Sequence, residues 1–123
     1  REHQLAVSDE GGQVHLLDIR NPQQVLLLLQ AHGKSCTSLD WNPVLPDCLL
    51  TASVDKSWKV WHLAENTATA IISREPGIGK IFTAAWAPDA PGLVSVGGSR
   101  GEMRVTNVGR IEAFQHTFLG KQQ

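Results

Sequence analysis

His32, Ser53 and Asp55 are the residue types of a hydrolase triad: a base, a hydroxyl and a carboxylate. A serine nucleophile needs exposure at a cleft, an adjacent base and an oxyanion hole. Ser53 instead closes an apolar run, Cys48 to Ser53, without the glycine-lined G-x-S-x-G elbow that lifts such a serine into solvent. No catalysis is expected from the three, and the chain reads as a non-enzyme. Gly77-Ile78-Gly79-Lys80 invites a phosphate-loop reading, but that loop needs a glycine, four residues and then Gly-Lys-Ser/Thr. Here Ile81 follows Lys80 and the upstream glycine is missing. The histidines at 3, 15, 32, 62 and 116 form no helical pair and no short ligand cluster. No metal, other cofactor or small-molecule substrate is expected.

The elements that would position these residues belong to an ordinary folded domain. Of 123 residues, 41% are apolar and 19% charged, with a formal net charge of −1. That balance argues against bulk attraction to nucleic acid or to an acidic membrane, though not against a local basic patch. Residues 1–73 hold five Lys/Arg against eight Asp/Glu, and residues 74–123 hold six against four. Cys36 and Cys48 are not paired in a C-x-x-C motif and sit in apolar segments, so free, buried thiols and a reducing compartment are expected. The longest strongly apolar run, Val25 to Leu29, falls far short of the ~20 residues of a spanning helix, and no membrane partner is expected. Opening on Arg1-Glu2-His3, the chain reads as a piece of something longer.

Internal repetition is the main signal. Trp41-Asn42-Pro43 returns as Trp86-Ala87-Pro88, 45 residues on, and Lys59-Val60-Trp61-His62 returns as Arg104-Val105-Thr106-Asn107 at the same spacing. The latter also has a predecessor 44 residues earlier, His15-Leu16-Leu17-Asp18. In the middle copy, Val25 to Gln30 reads as a strand buried on both faces. Cys36 to Trp41, Cys48 to Ser53 and Ser57 to Leu63 follow as strands, separated by turns. Four short strands per period of about 44 residues make a propeller blade. The expected fold is all-β: two and a half to three four-stranded blades over 1–109, part of a larger seven-bladed ring, then a C-terminal segment over 110–123.

These residues resemble the WD40 family. Ala31-His32 stands where its Gly-His does, and Trp61-His62 where its Trp-Asp does. Position by position, His32, Ser53, Asp55 and Trp61 match the family's structural tetrad, a buried hydrogen-bond chain from Trp through Ser and His to Asp. A buried indole N–H needs an acceptor, so the chemistry is sensible. The first copy departs from the pattern with Leu17-Asp18 and Gly11, the third with Thr106-Asn107 and Ser99-Arg100-Gly101. Those two blades are expected to rest on apolar packing alone.

A narrower resemblance runs from residue 25 to 114. Gly77 to Thr83, Trp86 to Asp89, Gly97 to Gly101 and Glu112-Ala113-Phe114 resemble the closing portion of one branch of the family. Leu29 to His32, Thr51-Ala52-Ser53 and Ser73-Arg74 fit the same branch. This resemblance implies a scaffold for assembly of the large ribosomal subunit in the nucleolus. Its partners would be assembly factors, ribosomal proteins and pre-ribosomal RNA. A protein-only adaptor, such as a histone-binding or ubiquitin-ligase subunit, is the alternative. Blade geometry puts Lys80 and the Ser99-Arg100-Gly101 turn at one end, with Arg74 and Arg104 nearby. Such a cluster suits phosphate contacts; an ordinary solvated surface is the competing interpretation.

Overall fold

The computed structural model describes residues 4–64 and 67–120. Among them ten strands form three antiparallel sheets. The first contains β1 (Gln4–Ser8), β2 (Gln13–Asp18) and β3 (Asn21–Gln30) in that order. The second contains β4 (Cys36–Trp41), β5 (Cys48–Ser53), β6 (Trp58–Ala64) and β7 (Thr67–Arg74). The third contains β8 (Ile81–Ala87), β9 (Ala90–Gly98) and β10 (Met103–Asn107). The last strand runs into a 3-10 turn, Val108–Arg110, and a short helix α1, Glu112–Phe118. The ends of the two expected segments, residues 1–3 and 121–123, lie outside the described residues.

The three sheets stack side by side with the middle one buried on both faces. Every residue of β5 is buried, which explains its unbroken apolar reading. Alternation then divides two cores. Cys48, Leu50, Ala52, Trp58 and Val60 pack with Ile78, Ile81, Trp86, Val94 and Phe114 toward the third sheet. Leu49, Trp61 and Leu63 pack with Val14, Leu16 and Ala31 toward the first. Trp58 and Phe114 are the largest fully buried side chains. Helix α1 closes the far end of the first of these cores, its Phe114 tilted against Trp86 at 6.2 Å and its Phe118 edge-on to His62 at 5.3 Å.

Neighbouring sheets are also pinned by hydrogen bonds between their first strands. Thr37 Oγ1 donates to the Ile81 carbonyl at 2.6 Å, and the Ala84 amide donates to Ser38 Oγ at 3.1 Å. Asp40 Oδ2 accepts from the Trp86 amide at 2.8 Å, while the Trp86 indole donates to the Asp40 carbonyl at 3.0 Å. Partners 44 or 46 residues apart, advancing together, fix β4 and β8 as parallel neighbours. Equivalent turns of the two sheets therefore emerge at the same end.

The sequence repeat and the sheet are not the same unit. The expected blade took Val25 to Gln30 as the first strand of the middle sheet, buried on both faces. That segment instead pairs with β2 and forms the edge of the first sheet, with Val25 48% and Leu28 53% exposed. Leu27 and Leu29 pack into the core between the first and second sheets, while Val25 and Leu28 meet solvent. The fourth strand of the middle sheet is β7, whose Thr-Ala-Thr-Ala run gave little apolar signal. Both cysteines are free, Cys48 fully buried and Cys36 partly so. Burial pushes their thiols up to about 12 and about 11, out of the nucleophilic range. Among the described residues no helix is long and apolar enough to cross a membrane.

Candidate functional site

Three hairpin turns, at residues 10–12, 54–56 and 99–101, define the end where the singled-out residues gather. In each, the last residue before the turn accepts from the amide three positions on. Gly12 donates to Asp9, Lys56 to Ser53 and Gly101 to Gly98, all at 3.2 Å. The donor is left-handed every time, with φ of 82°, 78° and 77°. Glycine suits that conformation in the outer two turns, whereas Lys56 adopts it with a side chain. The Gly12 carbonyl accepts from the amides of Ala31 and His32, which ties the first sheet's turn to the loop entering the second.

His32 enters the middle sheet from this loop, with its side chain wholly buried. Its Nδ1 lies 3.0 Å from Asp55 Oδ2 and its Nε2 2.8 Å from Thr51 Oγ1. The Trp61 indole donates to that same Thr51 hydroxyl at 3.0 Å. A carboxylate only accepts, so Nδ1 carries the imidazole proton and Nε2 must accept. Thr51 then accepts from Trp61 and donates to His32, giving a directed chain Trp61–Thr51–His32–Asp55. Burial lowers the His32 pKa against the pull of Asp55, in keeping with a neutral ring. Ser57 completes Asp55 by donating its hydroxyl to Oδ1 at 2.6 Å and its amide at 2.9 Å. Burial raises the Asp55 pKa, but the hydrogen bonds from Ser57 and His32 outweigh it and leave the carboxyl below its ordinary value.

Ser53 is not a member of this chain, and the sequence-based tetrad is corrected at that position. Its hydroxyl donates to the Ser35 carbonyl at 2.8 Å and accepts from the Asp55 amide at 3.0 Å. Thr51 and Ser53 share a face of β5, two residues apart, and only the inner one reaches the indole. Thr51 and Ser57 are thus the polar residues that sequence reasoning missed. The hydrolase-like trio is spread over two tasks: His32 and Asp55 hold the indole chain, and Ser53 holds a loop.

The outer sheets replace this chain differently. In the first, His15 Nε2 lies 3.2 Å from Asp9 Oδ2, and Asp9 Oδ1 accepts from the Gly11 and Gln13 amides. The expectation of apolar packing alone fails there. Asp9 took up the turn bonding from a position two residues before the one that aligned with Asp55. In the third sheet, fully buried Ile78 packs so closely over Gly98 that a Cβ there would collide with it.

The four basic residues fall into two groups at this end. Lys80 and Arg100 are both exposed and share one corner. The Lys80 amide donates to Ser99 Oγ at 3.2 Å and the Ser99 amide to the Lys80 carbonyl at 2.8 Å. Gly79 sits so near that a Cβ would come 3.5 Å from Arg100 Nε. Neither Lys80 nor Arg100 forms an ion pair among the described residues. Arg74 and Arg104 line a separate groove of about 260 Å³ together with Trp58, Glu75, Pro76, Val105 and Thr106. At the opposite end, the loop from Trp41 to Asp47 surrounds a hollow of about 300 Å³. Its shape is set by Asn42, whose Oδ1 accepts from the Val44 and Leu45 amides. Among the described residues no group of three or more His, Cys, Asp and Glu could hold a metal ion; His3 lies outside them.

No family model matches the chain. Similar curated proteins include several with WD repeats. An uncharacterized WD repeat-containing protein of Schizosaccharomyces pombe is 29% identical over 120 residues, 93% of this chain and 23% of that protein. The periodic tryptophan protein 1 homolog of Drosophila melanogaster is 25% identical over 113 residues, 91% of this chain and 25% of that protein. The GATOR2 complex protein WDR24 of Xenopus laevis is 32% identical over 85 residues, 69% of this chain and 11% of that protein. The chain thus spans about a quarter of the length of the first two and about a tenth of the third.

Proposed function

We infer that this chain, part of a WD40-type β-propeller with WD repeat-containing relatives, is a non-catalytic binding scaffold that serves assembly of the large ribosomal subunit in the nucleolus. The single observation that carries the reading is the similarity to a periodic tryptophan protein 1 homolog over 91% of the chain. The site chemistry is compatible with a scaffold. The His32–Asp55 chain is saturated with structural hydrogen bonds, and both thiols are held protonated. In this reading the partners are assembly factors, ribosomal proteins and pre-ribosomal RNA. Lys80 and Arg100 supply the corner that meets RNA phosphates.

A second reading, a protein-only adaptor, draws on the 32% identity to a GATOR2 complex protein over 69% of the chain. Affinity recovery of the tagged intact protein separates the two. The first reading expects large-subunit precursor RNA and assembly factors in the eluate, lost on ribonuclease treatment, and a nucleolar signal by imaging. A constant set of protein subunits, insensitive to ribonuclease and recovered from elsewhere in the cell, would replace it with the second.

A further inference from the structure

The middle sheet has all four strands of a blade and a neighbouring sheet packed on each face. Exposure at its end is therefore that of a complete blade. Two exposed lysines stand there, Lys34 in the loop before β4 and Lys56 in the β5–β6 turn. Their loops are tied together: the Val54 amide donates to the Ser35 carbonyl at 3.2 Å, and Ser53 Oγ donates to the same carbonyl at 2.8 Å. The third sheet repeats the tie 45 residues on, where the Ser99 amide donates to the Lys80 carbonyl. Because β4 and β8 are parallel neighbours, Lys34 and Lys56 stand beside Lys80 and Arg100 at one end of two adjacent sheets. Lys56 also holds a left-handed φ of 78°, a conformation that glycine fills in both outer turns, so a cation is kept there against backbone strain. None of the four cations has an ion-pair partner among the described residues. The acids of these loops are engaged elsewhere. Asp55 holds His32, Ser57 and the Gly33 amide, Glu102 pairs with Arg104, and Glu75 lines the separate groove with Arg74. Asp9 and Glu10 lie at the first sheet's turn, where the cationic stretch stops.

Resting on the RNA reading of the Lys80–Arg100 corner, we propose that this end binds the backbone of an RNA duplex. Lys34 and Lys56 meet one stretch of phosphates, and Lys80 and Arg100 meet the next. Single strands are held chiefly by aromatic side chains on which their bases stack. Residues 31–35, 54–57, 75–80 and 99–102 contain no aromatic ring except that of His32, which is wholly buried. A surface without a stacking platform reads backbone alone, and a duplex presents its phosphates at fixed positions to cations held on rigid sheet ends. An acidic peptide fits less well. Its binding needs packed anchors beside the charges, and none of the exposed large apolar side chains lies in these loops.

The test is fluorescence anisotropy on the intact protein with three probes: a short RNA duplex, an oligouridylate matched to it in phosphate number, and an oligoglutamate of equal charge. The duplex is expected to bind tightest. Lys34→Gln combined with Lys56→Gln weakens it about tenfold or more and lowers the slope of log affinity against log salt by about 2, as loss of two phosphate contacts requires. Lys34→Arg with Lys56→Arg restores the affinity. An unchanged thermal midpoint for the Gln pair keeps a folding defect apart from a binding one. Duplex binding unaltered in the Gln pair, or tighter binding of oligouridylate or oligoglutamate, would each overturn the proposal. Oligouridylate held by Lys80 and Arg100 alone would overturn it while leaving the RNA reading intact, whereas no binding of either RNA would remove both.

Discussion

The Trp61 indole nitrogen donates to the Thr51 hydroxyl at 3.0 Å across the β5–β6 ladder, and that hydroxyl in turn lies 2.8 Å from His32 Nε2. Trp61 pairs in register with Leu49, so its ring leans two residues along β5 to reach Thr51. One hydroxyl thereby satisfies two buried rings from different elements. Ser53, further along the same strand, ties a loop instead.

This division of labour is testable by double-mutant cycles in the intact protein. Thr51→Val leaves the Trp61 N–H without an acceptor and is expected to cost roughly 1–3 kcal/mol. Combined with Trp61→Phe, which removes that N–H, the loss is smaller than the sum by about 1 kcal/mol. Ser53→Ala with Trp61→Phe is additive within about 0.5 kcal/mol. Denaturant unfolding reads both cycles, and coupling to Ser53 in place of Thr51 would reinstate the sequence-based tetrad.

The ambiguity was built into the sequence. Period 2 puts Thr51 and Ser53 on one face of β5, and nothing in their spacing says which hydroxyl the indole meets. The fold itself was legible, because Trp-x-Pro and the strand endings recur at 44–45 residues and turns punctuate them. Sheet membership was not. An apolar run such as Val25 to Leu29 marks a strand without naming its partner, and the connection from Ala31 to Ser35 carries the chain from one sheet to the next. The strand Thr67–Arg74 escaped notice because its outward residues are threonine, alanine and serine. Asp9 escaped because the alignment set Gly11 against Asp55, whereas a carboxylate two positions earlier can cap the same turn.

Acid should weaken the fold in two stages. Burial holds His32 below its ordinary value of 6.5, so the folded ring stays neutral where the unfolded one takes up a proton. Well above 6.5 both states are neutral and this contribution is flat. As pH falls through 6.5 the unfolded chain binds more protons, and stability drops until the folded value is passed. Asp55, held below 3.8, adds a second loss as pH falls through that value. The urea midpoint of the intact protein is expected to decline below 6.5. A His32→Gln variant, less stable at neutral pH, should decline less there. A midpoint that rises on mild acidification would contradict the neutral-ring assignment.

The three turn donors should respond unequally to substitution. Gly101→Ala meets a φ of 77° and open space, so its cost is about 1–2 kcal/mol of left-handed strain. Gly12→Ala meets the same strain, and its Cβ would also run into the His32 and Lys34 carbonyls. It should cost distinctly more and loosen the Gly12 carbonyl from the Ala31 and His32 amides. Lys56→Gly relieves the strain while adding freedom to the unfolded chain, for a net gain of up to about 1 kcal/mol. Equal losses at Gly12 and Gly101 in denaturant unfolding would show that the carbonyls around Gly12 yield freely.

Neutralising the corner should separate binding from folding. Lys80 and Arg100 are exposed and share the Ser99 turn. Lys80→Ala with Arg100→Ala removes no packed surface, so stability should change by no more than about 0.5 kcal/mol per residue. Removing a cation that meets a phosphate lowers affinity for RNA of any sequence and reduces the slope of log affinity against log salt by about 1. The double variant is therefore expected to melt normally, to recover less precursor RNA, and to show a flatter salt dependence. Recovery of precursor particles at the level of the unaltered protein would show that the corner makes no contact with RNA. The loop from Pro43 to Asp47, at the opposite end of the sheets, would then be the next surface to substitute, because its hollow is shaped by Asn42 independently of the basic end.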